Sequence, residues 1–179
     1  MQNEAGGTKA ADPHKPVTAN YLERAAVYYL ERYSSSSENL RRVLTRKARR
    51  RAGIASGPDI VAMISETVAK AVRSGLVDDA AYAGAKLNTL LCRGASIRSA
   101  RASLAAKGVA PDTVAAALSD NAPNDAAQAR RYAERKRLGP YRHPPDPAKR
   151  ERDLAALCRA GFPYRLAVAA LEPSPDEED

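Results

Sequence analysis

The chain has 179 residues, 44 % of them hydrophobic, with no Trp, one Phe and a formal net charge of +8. A chain of this length suits one domain or a row of small units, and apolar content carried by Ala, Leu, Val, Ile and Tyr favours thin, closely packed helices. No apolar run is long enough to span a bilayer, and β-branched residues rarely alternate, which argues against a membrane span and against a sheet.

Residues 1–19 read as a polar tail. Met1 to Pro16 is broken by Gly and Pro, which predicts disorder and fits neither a signal peptide nor an anchor. The first helix is predicted from about Tyr21 to Arg32, with Leu22, Ala26, Tyr29, Leu30 and Tyr33 on one apolar stripe. The serine run Ser34 to Ser37 breaks it, and Ser35 with Glu38 fits a capping box that opens a second helix. That helix carries Leu40, Val43 and Leu44. Gly53 and Gly57 end the segment, and Pro58 suits the first position of a third helix. Ile60, Ile64, Val68 and Val72 lie on one face of it, beside Met63 and Ala71, and Gly75 closes it.

The pattern then begins again. Asp78 can cap a helix containing Tyr82, Leu87, Leu90 and Leu91 that ends at Gly94. Another starts near Ser96, carries Ala100 and Leu104, and stops at Gly108. Pro111 opens a short helix with Val114 and Leu118. After a polar break from Asn121 to Asp125, a third cycle places Tyr132 and Ala133 on a helix ending near Gly139. A Pro-rich loop follows. Asp146 with Pro147 then makes a cap and first position for a helix carrying Leu154 and Leu157 up to Gly161, and Pro163 precedes Leu166, Val168 and Leu171.

The segments LTRKA (Leu44 to Ala48), LAAKG (Leu104 to Gly108) and LCRAG (Leu157 to Gly161) align, with anchors 60 and 53 residues apart. That spacing suits three short helices per repeat. The expected fold class is all-α, an elongated array of three tandem three-helix repeats at 20–76, 77–121 and 122–172, followed by an acidic tail at 173–179. Helix triplets of this kind bury a shared seam by stacking.

Charge is unevenly spread. Residues 1–171 hold all 29 Lys and Arg against 16 acids, a net +13, whereas Glu172, Asp176, Glu177, Glu178 and Asp179 make the C-terminal end acidic. A basic body implies an acidic partner. The densest cluster is Arg41, Arg42, Arg46, Lys47, Arg49, Arg50 and Arg51, with no acid among them. On a helix, Arg42, Arg46, Arg49 and Arg50 share one side, opposite Leu40, Val43 and Leu44. Like charges at this spacing repel and become favourable when phosphates or carboxylates face them; a merely solvated basic face is the plainer alternative. A second set is Arg93, Arg98, Arg101 and Lys107. A third is Arg130, Arg131, Arg135, Lys136 and Arg137, relieved only by Glu134. Stacked units could align the three sets along one concave track. The tyrosines read as core residues in helix stripes, so base stacking has little support.

Catalytic chemistry finds no residues here. Cys92 and Cys158 lie outside any C-x-x-C spacing, and each follows Leu in an apolar run, which predicts buried free thiols in a reducing cytoplasm. His14 and His143 sit in Pro-containing segments without a ligand array. No phosphate-cradling loop or nucleophile elbow is present. No metal, cofactor or enzymatic activity is expected, and the chain is read as a monomer without membrane attachment.

Four stretches resemble the RecX regulatory proteins, in the form found in alpha-proteobacteria. ERYSSSSENLRRVLTRKARRR (Glu31 to Arg51) is similar to the family's opening motif, and GLVDDAAYA (Gly75 to Ala83) to its Gly-hydrophobic-hydrophobic-Asp-Asp signature. IRSARASLAAKGV (Ile97 to Val109) resembles its middle helix and turn, and LCRAGFPYRLA (Leu157 to Ala167) its closing motif. The resemblance spans about Tyr21 to Leu171. It implies three tandem three-helix units and a partner, the RecA recombinase. It also implies an effect without catalysis or cofactor: lying on the filament of RecA with single-stranded DNA, it limits filament growth, ATP hydrolysis, strand exchange and coprotease activity. Two departures stand out. No glycine follows Lys47 as Gly108 follows Lys107, and the loop from Gly139 to Pro147 lengthens the third unit. A basic, helix-turn-helix-like DNA-binding protein acting without RecA is the alternative the same Arg stripe allows.

Overall fold

Helix starts follow the local capping chemistry. In the computed structural model, which describes residues 16–52 and 57–172, Thr18 Oγ1 accepts a hydrogen bond from the Tyr21 amide and opens α1 (Ala19–Leu30). The cap of α2 (Ser37–Ala52) is Ser36, one residue later than expected: its Oγ accepts from the Asn39 amide. Ser35 instead accepts from the Asn39 side chain. Four consecutive serines offer the same hydroxyl in every register, so the sequence does not single out the cap. Gly57 precedes α3 (Pro58–Arg73), with the proline in its first turn. Asp78 accepts from the Ala80 and Ala81 amides and caps α4 (Asp79–Cys92). Ser96 caps α5 (Ile97–Ala106), Pro111 opens α6 (Pro111–Asn121), and Asn124 caps α7 (Asp125–Lys136). The last helices are α8 (Arg150–Arg159) and α9 (Tyr164–Ala169). Two 3-10 turns, Gly139–Tyr141 and Pro147–Lys149, lie between α7 and α8, and no strand occurs among the described residues. The fold is all-α. The expected N-terminal tail up to Lys15, Gly53 and the acidic end from 173 lie outside the described residues.

The chain divides into two compact units, Met1–Val77 and Asp78–Asp179. In the first, α1, α2 and α3 enclose Leu22, Leu40, Leu44, Ala48, Ile64 and Val68. Leu22, Leu40 and Leu44 are wholly buried; each such side chain contributes roughly 1.5–3 kcal/mol. The face of α3 differs from the expected one. Val72 is exposed, and Thr67 is buried with its hydroxyl donating to the Met63 carbonyl. Residues four apart advance by 400° on a helix of 100° per residue, so a strict i+4 series drifts off the core. Tyr33, expected on the α1 stripe, follows the end of α1 and is exposed.

The second unit holds two apolar clusters. Leu87, Ala100, Leu104, Val109, Val114 and Leu118 pack among α4, α5 and α6. Ala129, Ala133, Leu157, Phe162, Ala167 and Leu171 pack around α7, α8 and α9. Helices α5 and α8 end alike: the Val109 amide donates to the Leu104 carbonyl, and the Phe162 amide to the Leu157 carbonyl. That bond folds Val109 and Phe162 back onto their own helix, where both are buried. By contrast, α2 runs past Lys47 and Ala48 to Ala52, where no glycine interrupts it.

Polar groups tie the two clusters together. Ser96, wholly buried, accepts from the Ser99 amide and donates to the Ala160 carbonyl. Asp125 accepts from the Ile97 amide. Gly94 sits against the backbone of α7, and a Cβ there would meet the Tyr132 nitrogen at 2.8 Å. With φ at +70°, glycine is demanded twice over.

The Pro-rich loop has an anchor that the sequence did not reveal. Asp153 in α8 is only 3 % exposed. Its Oδ2 accepts from the Gly139 amide at 2.9 Å, and both its oxygens accept from Arg142 Nη2, at 2.6 and 2.8 Å. Asp146 does not start an α-helix, because Pro147 begins a 3-10 turn and α8 starts only at Arg150. Asp146 pairs with Lys149 at 2.8 Å, and that hydrogen bond holds its carboxyl below the usual range.

Candidate functional site

The cluster from Arg41 to Arg51 is contiguous in sequence but divided by the helix. Arg42, Arg46, Arg49 and Arg50 are exposed on the outer face of α2. Arg41 lies half-buried beside them; its Nη1 donates to Ser65 of α3 at 2.8 Å, and its Nε pairs with Glu38. Glu38 also pairs with Arg42 at 3.2 Å, so the first turn supplies an acid that relieves the start of the stripe. Beyond it, Arg46, Arg49 and Arg50 have no carboxylate within ion-pair distance among the described residues. A shallow groove of about 350 Å³ lies along Arg42, Thr45, Arg46 and Arg49.

Lys47 and Arg51 face the other way, towards α1. Arg51 is held in place: its Nε donates to the Pro16 carbonyl at 3.0 Å, and its guanidinium lies 4.2 Å from the centre of the Tyr21 ring. Lys47 Nζ lies 5.9 Å from the Tyr28 ring centre, and the Arg32 guanidinium covers that ring at 3.7 Å. Tyr21, Tyr28, Lys47 and Arg51, with Thr18, Asn20 and Arg24, line an open cleft of about 520 Å³ between α1 and α2, and Arg32 lies outside that lining. No acid lines it. The sequence does not reveal this feature, because its tyrosines read in general as core and Tyr29 and Tyr33, not Tyr21 and Tyr28, fall on the expected α1 stripe. Tyr21, Tyr29, Tyr82, Tyr132 and Tyr141 pack partly buried against the core clusters, whereas Tyr28, Tyr33 and Tyr164 are exposed. The available signal was the four-residue spacing of Lys47 and Arg51, which turns both off the outer stripe.

In the second unit, Arg93, Arg98, Arg101, Lys107, Arg130, Arg135, Lys136 and Arg137 are exposed. Arg131 serves the fold in part: its Nη1 donates to the Leu91 carbonyl near the C-terminus of α4, where a cation is favourable. Arg93 and Lys107 follow α4 and α5 as their C-terminal caps. Arg137 ends α7 in the left-handed conformation, with φ at +53°. Cys92 is exposed rather than buried, and Cys158 is half-buried. Helix α4 turns Leu91 inward and its neighbour Cys92 outward.

Among the described residues, no cluster of His, Cys, Asp and Glu could hold a metal ion, and no helix is long and apolar enough to cross a membrane. What the surface offers is guanidinium and ammonium groups, which can pair with phosphates or carboxylates. Fold and surface together define an all-helical protein built from three-helix packets with strongly cationic helix faces.

No protein-family model matches the chain. It is 38 % identical to the regulatory protein RecX of Myxococcus xanthus, over 98 % of this chain and 100 % of that protein. It is 27 % identical to RecX of Agrobacterium fabrum over 97 % of this chain and 94 % of the relative, and 33 % identical to RecX of Thermobifida fusca over 76 % and 83 %. The crystal structure of RecX from Lactobacillus salivarius superposes with a TM-score of 0.60 at 20 % identity, covering 86 % of this chain and 94 % of that one. A second crystal structure of a regulatory protein RecX gives 0.60 at 19 % identity, over 85 % and 72 %. The chain belongs to the RecX regulatory protein family.

Proposed function

We propose that this protein is a non-enzymatic, cytoplasmic regulator of the RecA recombinase. It docks on the filament that RecA forms with single-stranded DNA and limits filament extension, ATP hydrolysis, strand exchange and coprotease activity. The observation that carries this reading is the near full-length similarity to a RecX regulatory protein. The physical support is the outer face of α2, where Arg46, Arg49 and Arg50 stand exposed without an acid partner. Such a face is costly alone and gains from an anionic surface. We further propose that three tandem units, 20–76, 77–121 and 122–172, each bring a basic set to the filament. The test is RecA's DNA-dependent ATPase with the protein added below stoichiometry. Inhibition is expected; no inhibition at any ratio, together with sequence-selective binding to duplex DNA, would make it a DNA-binding protein independent of RecA.

A further inference from the structure

The cleft between α1 and α2 combines features that an ion-pairing face does not need. Arg24, Lys47 and Arg51 converge on it, and no carboxylate lies within ion-pair distance of any of the three among the described residues. Two tyrosine rings lie in its wall. Arg51 is stacked on Tyr21 and tethered to the Pro16 carbonyl, so its guanidinium is fixed as a flat plate before any ligand arrives. Arg32 covers the Tyr28 ring from outside this lining, tethered to the Tyr28 carbonyl at 2.9 Å and paired with Glu31 at 3.7 Å, so Arg51 is the one ring-backed guanidinium in the cleft wall among the described residues. Ring-backed guanidinium planes can stack on a nucleobase, and their edges donate to phosphate. A volume of about 520 Å³ is in the range of small-ligand pockets.

We propose that this cleft binds a short stretch of single-stranded nucleic acid. Phosphates pair with Arg24, Lys47 and Arg51, and a base stacks on the tyrosine-backed guanidinium of Arg51. An acidic peptide would satisfy the cations but leave the aromatic backing without use. The contact goes beyond recombinase regulation: it is made with the strand itself and needs no other protein, so either idea can fail while the other stands.

The test uses the full chain alone with a fluorescent oligo(dT) strand of about 12 nucleotides. Binding is expected, with an abasic strand of equal length about five- to tenfold weaker, the loss expected for one base–aromatic stack. Arg24→Gln and Lys47→Gln, both surface changes, each lower the log–log salt slope by about 0.7. With 5-iododeoxyuridine in the strand, photo-crosslinking is expected to place the adduct on the cleft wall, at Tyr28 or at the Arg51–Tyr21 pair. Circular dichroism confirms that each variant keeps its helices, and the crosslink on the unaltered protein tests the site without any variant. Adducts confined to other residues would overturn the proposal. So would equal affinity for the abasic strand, or displacement by an equal concentration of poly-glutamate, which would make the cleft a groove for acidic protein.

Discussion

Replacing Asp153 with Ala tests how the Pro-rich loop is held. The substitution removes both acceptors of Arg142 Nη2 and the acceptor of the Gly139 amide. The Arg142 side chain is 23 % exposed, so its charge remains largely desolvated and without its anion. Breaking such a pair by removing one partner costs about 3–5 kcal/mol. For a unit of roughly 100 residues, 1 kcal/mol shifts the melting temperature by about 4–8 °C, so the expected loss exceeds about 10 °C. Circular dichroism melts and urea titration measure it. Arg142→Ala is expected to destabilise in the same direction, and the two changes together cost less than their sum by about 1–3 kcal/mol. Two single changes of under about 1 kcal/mol that simply add would refute the reasoning and reduce the pair to a surface contact.

Other outcomes follow from the same physics. Leu104→Ala empties a wholly buried site between α4, α5 and α6 and is expected to cost about 2–5 kcal/mol by denaturant titration. Gly94→Ala forces a side chain onto a residue with φ at +70° and against the Tyr132 backbone; a loss of at least about 1–3 kcal/mol in thermal melts is expected from the backbone strain alone. Ser96→Ala removes the α5 cap and strands the Ala160 carbonyl. It is expected to cost about 1–2 kcal/mol in the same assay. The acidic end is expected to compete for the cationic faces, so truncation after Leu171 raises DNA affinity at low salt; unchanged affinity would remove that role.

Helix starts were legible wherever one residue type had one place to act. Pro58 and Pro111 lack the amide that a first turn leaves unpaired, Ser96 stands alone as an acceptor ahead of an apolar stripe, and of the pair Asp78 and Asp79 the first caps α4. Legibility failed where the sequence repeats itself or where the decisive partner is distant. The serine run hid which hydroxyl caps α2. Asp153 sits in Arg-Glu-Arg-Asp, a run that reads as a solvated face, and only the return of the loop brings the Gly139 amide and Arg142 to it. The outer Arg stripe was visible from helical spacing alone. The cleft was not, because Tyr21 and Tyr28 lie on one helix and Lys47 and Arg51 on another, and nothing local pairs them. Tyrosines at helical spacing suggested core, yet a core filled by Leu22, Leu40 and Leu44 left the rings at its rim.

The central claim is that the exposed arginines of α2 carry the docking on RecA. Arg46→Glu, Arg49→Glu and Arg50→Glu combined in one chain test it most directly, by titrating unaltered and altered protein against RecA's ATPase on single-stranded DNA. The account predicts that the altered protein keeps its helical content but needs a several-fold higher concentration for the same inhibition. Identical inhibition curves would contradict it.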